Sequence, residues 1–503
     1  MATIVKDPAA ADVPAGVPAN RDRLFLASCV ALIVTAMTFA IRAGILNELQ
    51  VDFALDNSQL GWVNSMAFFG FPIAMLVGGL VYNTVGPRIM MWIAFGCHVL
   101  GLGLTIVAGG FLGLLVSTFF IGFANGSVEA ACNPMIADMY PDKRTEMLNK
   151  FHVWFPGGIV IGSLVAQSFG TILPVVSWQV LIAVMFIPTV IYGVLILGQE
   201  FPRSLNIEAD TGSNVAALLT PLFLFIGVCM LFTAASEFAT TQWVEKILGG
   251  SGAQPILVLA LVSGVMAVGR YFGGPYVHRF STGGVLLASA ILTTVGVYLL
   301  STLVGSALYF AAFIFALGVC FFWPNMIATT SVYTPRTGAL GMSVIGGFGM
   351  LSMVILNPII GGWLDEASSR PGVVTAAMQA NDPSFTDTGA IYAAATAAKA
   401  ARDSVEKVQK DLIRAREMPD FITYAANASV ENLGITDADE IEEARERAIK
   451  AAEVVAGREV LSFINFIPLI AIGLLAALFF WTRGIRPATA EVATAIPTPA
   501  SAR

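Results

Sequence analysis

Apolar runs recur along almost the whole chain, separated by short polar breaks. Each is near the roughly 20 residues that a helix needs to cross about 30 Å of hydrocarbon. The pattern predicts twelve spanning helices, over 24–46, 58–83, 88–108, 111–139, 148–171, 176–198, 216–244, 254–277, 283–303, 307–332, 338–364 and 460–482. Two stretches depart from it. Residues 1–22 hold Ala, Pro and Val but no apolar core, and read as a disordered tail. The run from Leu24 is too long for the apolar part of a signal peptide, so it reads as a retained first helix. The other exception, 365–459, is charged but carries apolar residues at helical spacing. One stripe is Ile391, Ala394, Ala398, Ala401, Val405, Val408 and Leu412; the second is Ile441, Ala444, Ala448, Ile449, Ala452 and Val455. Two such stripes predict an antiparallel helical hairpin with an alanine-rich seam, the second arm running on toward 460–482.

The expected fold class is an all-α polytopic membrane protein: twelve transmembrane helices in two six-helix halves, with an extracytoplasmic helical hairpin between helices 11 and 12. The expected parts are a tail 1–22, an N-terminal six-helix bundle 23–198, a central loop 199–215, helices 7–11 at 216–364, the insert 365–459, helix 12 at 460–482 and a tail 483–503. Composition agrees. The chain is 56% hydrophobic and 12% charged, about half the charge of a soluble domain.

Charge sets the expected orientation. With the N-terminus inside, Arg21, Arg23, Arg88, Lys143, Arg144, Lys150, Arg203, Arg279, Arg336, Arg483 and Arg486 all fall on the cytoplasmic side, and the short outer loops hold Lys246 alone. Both termini are then cytoplasmic, in a bacterial plasma (inner) membrane. The insert, with 18 acidic and 11 basic residues, accounts for the whole formal charge of −7 and lies outside. It is a tolerated insertion, a lid, or an arm for a docking partner. The acidic balance therefore says nothing about the membrane part, and no basic surface for nucleic acid is present.

The five cysteines, Cys29, Cys97, Cys132, Cys229 and Cys320, lie in apolar runs without metal-ligand spacing, so no metal is expected. No GxxxxGK[ST] loop occurs, so no nucleotide drives the protein and no cofactor is expected. No nucleophile–base pair shares a face, so an enzyme is not expected.

Spans 4 and 10 carry a short repeat. Asn133-Pro134-Met135-Ile136-Ala137 matches Pro324-Asn325-Met326-Ile327-Ala328, and each helix then reaches a Tyr and a Pro–Arg loop. Two parallel six-helix halves are the arrangement in which halves rock about a central site. The halves differ chemically: Glu129 in the first faces Cys320 in the second.

An acid inside an apolar helix costs about 3 kcal/mol or more, so such a residue usually faces a cavity and moves protons, ions or polar solute. Glu129 is the candidate proton-coupling group, the alternative being a permanently neutral acid bonded to Asn133 or a backbone carbonyl. Counted from the cytoplasmic ends, Arg42 and Glu237 both lie about 30 Å deep and Glu129 about 15 Å. This favours an outer-gate pair of Arg42 with Glu237, or two groups reaching independently for the outer interface. Asn125, Asn133, Asn149, His152, Trp154, Gln242, Trp243, Trp323, Asn325 and Asn357 are candidate substrate contacts, since sugars need amides for hydroxyls and indoles for C–H faces. Each Trp is also a good interface anchor and each Asn a good helix–helix bond.

The loop after span 2, Gly78-Gly79-Leu80-Val81-Tyr82-Asn83-Thr84-Val85-Gly86-Pro87-Arg88, resembles the G-x-x-x-D-R-x-G-R signature of the major facilitator superfamily, with Asn83 for Asp and Thr84 for Arg. Arg270 in Gly269-Arg270-Tyr271-Phe272-Gly273 resembles the matching element of the second half. The resemblance implies an inner gate formed by Gly79, Asn83, Gly86, Arg88 and Arg270. G-x-x-x-E-x-x-x-N-P around Glu129, then Leu148-Asn149-x-x-His152, resembles the fucose–proton symporter family and its sugar-transporting relatives. So do Glu237 with Trp243 and Asn357-Pro358. That resemblance implies proton-linked sugar transport with Glu129 as the linked carboxylate. The family's acid on span 1 has no counterpart here; Arg42 stands in that stretch.

The expectation is a secondary active transporter, lipid-embedded and monomeric, importing a sugar or polyol with protons by alternating access. Alternatives are an organic-anion or sugar-acid carrier using Arg42, an efflux pump, and a transceptor or scaffold whose outer hairpin binds a partner.

Overall fold

The computed structural model describes residues 20–140, 144–172, 177–202, 211–272, 282–408, 420–483 and 485. In chain order the helices are α1 (Arg21–Gly44), α2 (Leu46–Phe53), α3 (Asn57–Ile106), α4 (Phe111–Met139), α5 (Arg144–His152), α6 (Trp154–Ile172), α7 (Trp178–Val184), α8 (Phe186–Ile196), α9 (Thr211–Leu218), α10 (Pro221–Gln242), α11 (Val244–Leu248), α12 (Pro255–Phe272), α13 (Thr282–Thr302), α14 (Ala307–Val319), α15 (Phe322–Tyr333), α16 (Gly338–Ser368), α17 (Pro371–Gln379), α18 (Gly389–Val408), α19 (Phe421–Leu433), α20 (Ala438–Ile464) and α21 (Phe466–Thr482). Eleven helical stretches among the described residues are long and apolar enough to cross a membrane. The apolar helix α6 stands at the remaining expected position. Large apolar side chains such as Leu80, Leu112, Val190, Phe310 and Phe480 stay exposed along them, a surface suited to acyl chains.

The chain forms two compact units, Met1–Arg42 with Met66–Ala209, and Ala43–Ser65 with Asp210–Arg503. In the first, α3 and α4 pack backbone to backbone. A Cβ on Gly122 or Gly126 would strike the carbonyl oxygen of Ala67 or Phe71. The two spans within α3 are separated at Gly86, whose φ of +77° is open to glycine and strained for other residues. At the predicted cytoplasmic side, Arg23 donates from Nε to the Leu195 carbonyl at 3.0 Å and from a terminal nitrogen to Val194 at 3.1 Å. It thus caps the end of α8, where Val194 also accepts from the Leu197 backbone N–H. Tyr140 donates to Asp22 at 2.8 Å, tying the end of α4 to α1.

Expected spans 5, 6, 10 and 12 are interrupted, each by a proline (Pro156, Pro188, Pro324, Pro468) four residues past the carbonyl that loses its donor. Pro324 has no N–H for the Cys320 carbonyl, and span 10 divides into α14 and α15 there. Arg270 Nε supplies the missing donor to that carbonyl at 2.9 Å. Pro156 likewise leaves the His152 carbonyl without its helical donor, and span 5 divides into α5 and α6.

The insert is more elaborate than the expected hairpin: four helices, α17 to α20, are described in it. The stripe Ala444, Ala448, Ala452 and Ala456 is buried, but it packs on α17 and α19, and α18 packs on α19. Local chemistry explains the extra elements. Pro371 opens α17. Asp420 caps α19 by accepting from Thr423 N at 2.7 Å, and Gly434 ends it at a φ of +64°. Asp437 caps α20 by accepting from the backbone N–H groups of Asp439 and Glu440. In the same unit, Asp365 accepts from Asn57 N (3.1 Å), Asn57 Nδ2 (2.9 Å) and Ser58 N (3.0 Å) at the start of α3.

Candidate functional site

In the first unit the chemistry gathers on α4. Asn125, Glu129 and Asn133 follow each other at spacing four and so share one stripe of the helix. The carboxylate of Glu129 is buried, and its Oε2 accepts from Asn133 Nδ2 at 2.7 Å. The Asn133 Oδ1 in turn lies 3.0 Å from His152 Nε2. That oxygen can only accept, so His152 donates, and a chain runs from the end of α5 through Asn133 to the acid.

A second chain starts one turn earlier. Asn125 is fully buried. It donates from Nδ2 to Thr38 Oγ1 at 2.9 Å, and its Oδ1 sits 2.9 Å from His98 Nε2. The other ring nitrogen of His98 lies 2.9 Å from the Tyr192 hydroxyl. On α1, Arg42 is buried with its guanidinium 5.2 Å from the Phe39 ring centre and 5.8 Å from that of Phe68. Two phenyl faces partly replace the water that a buried cation lacks.

In the second unit, Trp243 donates from Nε1 to Asn357 Oδ1 at 3.0 Å, both residues being buried. Asn357 Nδ2, Asn325 Nδ2 and Glu237 Oε2 are buried without a hydrogen-bond partner among the described residues. Trp323 packs edge-on against Phe238 with ring centres 6.3 Å apart. Gln242 is buried.

The sequence profile of the Major Facilitator Superfamily matches residues 25–244. Similar proteins include the cis,cis-muconate transport protein of Acinetobacter baylyi, 30% identical over 33% of this chain and 39% of that protein. The hexuronate transporter of Bacillus subtilis is 23% identical over 68% of this chain and 85% of that protein. A bacterial homologue of the human lysosomal transporter Spinster, solved inward-facing and unoccupied, shares the fold with a TM-score of 0.62 at 15% identity, over 92% of this chain and 98% of that one. The D-xylose–proton symporter shares it with a TM-score of 0.59 at 14% identity, over 68% and 90%. Over residues 25–244 the chain is similar to the Major Facilitator Superfamily. The proteins it is similar to here are named as transporters.

The chain places its sequence-selected residues unevenly. Glu129, Asn133 and His152 come together, and Trp243 meets Asn357. Arg42 belongs to the first unit and Glu237 to the second. Trp154 stands on the surface, 41% exposed. Of the inner-gate residues, Gly86 forms the bend between two spans, Arg88 is exposed, and Arg270 is held on the Cys320 carbonyl. Gly79 lies on α3 ahead of that bend. The side chains of Asn83 and Asn149 lie outside the described residues. Sequence reasoning missed His98, Tyr192 and Thr38. The available signal was an imidazole in the middle of an otherwise apolar run.

Proposed function

We propose that this protein imports a small hydroxylated carboxylate, of the sugar-acid class, together with a proton by alternating access. The observation that carries the reading is the company Glu129 keeps. It is a buried acid held by an amide, on a helix whose unit also holds a buried arginine seated on two phenyl rings. In this reading Glu129 takes and releases the proton, Arg42 holds the carboxylate of the cargo, and buried amides of the same unit meet its hydroxyls. The similarity to carriers named for hexuronate and for muconate supports an acidic cargo. The protein would sit in a bacterial plasma membrane with both termini inside and the 365–459 insert outside.

The test is uptake into proteoliposomes of labelled neutral sugars, sugar acids and aromatic acids, with and without an imposed pH gradient. Wild type is expected to accumulate a sugar acid only with the gradient. Glu129→Gln is expected to keep exchange across the membrane but lose accumulation. Uphill accumulation by Glu129→Gln rules out that acid as the coupling group. Arg42→Lys is expected to raise KM for acids, and Glu237→Gln to leave it unchanged. The reverse result assigns Arg42 to an outer-gate pair instead. Uptake of neutral sugars alone replaces the cargo class with that of the D-xylose symporter.

A further inference from the structure

The direction of the hydrogen bonds around Asn125 can be worked out from one end. Thr38 gives its hydroxyl proton to the Thr35 carbonyl at 2.6 Å. Its oxygen must therefore accept from Asn125, which fixes the amide nitrogen toward Thr38 and the amide oxygen toward His98. That oxygen can only accept, so His98 Nε2 carries the proton. In a neutral ring His98 Nδ1 is then the acceptor, and the Tyr192 hydroxyl donates to it. With the ring neutral, every polar atom between Tyr192 and the Thr35 carbonyl has one role, and the imidazole has a single tautomer. The four side chains come from α8, α3, α4 and α1, and all are buried, His98, Tyr192 and Asn125 completely. A half-satisfied buried network is costly, so a chain with one consistent direction holds its members in one arrangement.

We propose that His98 is a positioning residue for the coupling site: it locks the Asn125 carboxamide and with it the rotation of α4 that presents Glu129, one turn further along. The proposal rests on the reading of Glu129 as the proton carrier. A roll of α4 would move the Glu129–Asn133–His152 chain as well, because Asn125, Glu129 and Asn133 share one stripe. Neither His98 nor Tyr192 touches Glu129 in any contact described, so the effect passes through the helix.

The discriminating substitutions are His98→Gln and His98→Leu. A glutamine amide can donate to Asn125 and accept from Tyr192, as the neutral ring does; leucine can do neither. In proteoliposomes, His98→Leu is expected to lose accumulation about tenfold while exchange at equal pH stays within about twofold, the pattern of a displaced group rather than a lost fold. His98→Gln is expected to match wild type in both. Nitrogen NMR of labelled histidine in lipid bilayers, with the His98 signal assigned by its loss in His98→Gln, is expected to show a neutral ring protonated at Nε2 at neutral pH.

The proposal is overturned by a charged or Nδ1-protonated ring. It is equally overturned if Gln and Leu behave alike, or if exchange and accumulation fall together in His98→Leu. Failure of the Glu129 reading appears separately, as undiminished accumulation by Glu129→Gln, and the tautomer still decides the network.

Discussion

At the scale of single residues, burial decides which ionisable groups matter, at the helix ends as well as inside the membrane. Glu245 on α11 lies outside the spans and accepts from Asn47 Nδ2 at 3.4 Å. Burial, reinforced by the nearby Glu48 carboxylate and opposed by Lys246, pushes its pKa up to about 7. The ordinary value is 4.5. A raised carboxylate favours folding while protonated, so its contribution is complete below 4.5 and lost as pH rises to about 7. Glu245→Gln keeps the acceptor for Asn47 and cannot ionise. Its melting temperature in detergent is expected to exceed wild type at pH 8, with the gap closing by pH 5. A gap that is constant with pH would show that Glu245 is not buried in solution. Glu129 was legible in the sequence because an acid stands out in an apolar helix. His98 was not. A lone histidine in such a run has many structural uses, and the meaning of this one depends on residues 27 and 94 positions away.

At the scale of elements, periodicity located the helices and missed their interruptions. The breaks at Cys320 and at the α5–α6 junction follow from prolines that remove a donor, a local cause that an average over apolar positions hides. The packing of α3 on α4 is a matter of glycine. Gly122 has no room for a methyl group beside the Ala67 carbonyl. Gly122→Ala is expected to destabilise the protein by about 1–3 kcal/mol, the usual range for overpacking, whereas Gly96→Ala, with open space around it, should be neutral or mildly stabilising. Thermal unfolding of both variants checks the contrast; equal shifts would refute the close crossing.

At the scale of the whole molecule, the insert is a covering structure on its own unit. A cavity of about 300 Å³ lies between it and the adjoining helix ends, lined among others by Gln50, Lys246, Ser368, Lys399, Asp403 and Glu453. Replacing 370–455 with a short Gly/Ser linker is expected to uncover this space. A Ser368→Cys thiol should then react several-fold faster with a membrane-impermeant maleimide added from outside than it does with the insert present. Unchanged labelling would show that the insert does not cover the rim, or that the rim does not face outward. Uptake measured on the same variant separates a lid from an accessory arm.

The sequence by itself determined the helical membrane class, the positions of most spans, the repeat between spans 4 and 10, and the isolation of Glu129. All of these rest on local composition or on spacing along one chain, where the cost of burying polar atoms in lipid is paid residue by residue. Tertiary structure alone decided what those residues do for one another. It placed Asn133 and His152, two of the candidate cargo contacts, in one hydrogen-bonded chain with Glu129. It joined Thr38, His98, Asn125 and Tyr192 into one directed chain, and it packed the helix that carries the insert's alanine stripe on α17 and α19. Hydrogen bonds between helices are short-ranged and directional, so they are fixed when the helices have docked, and no pattern along the chain encodes them.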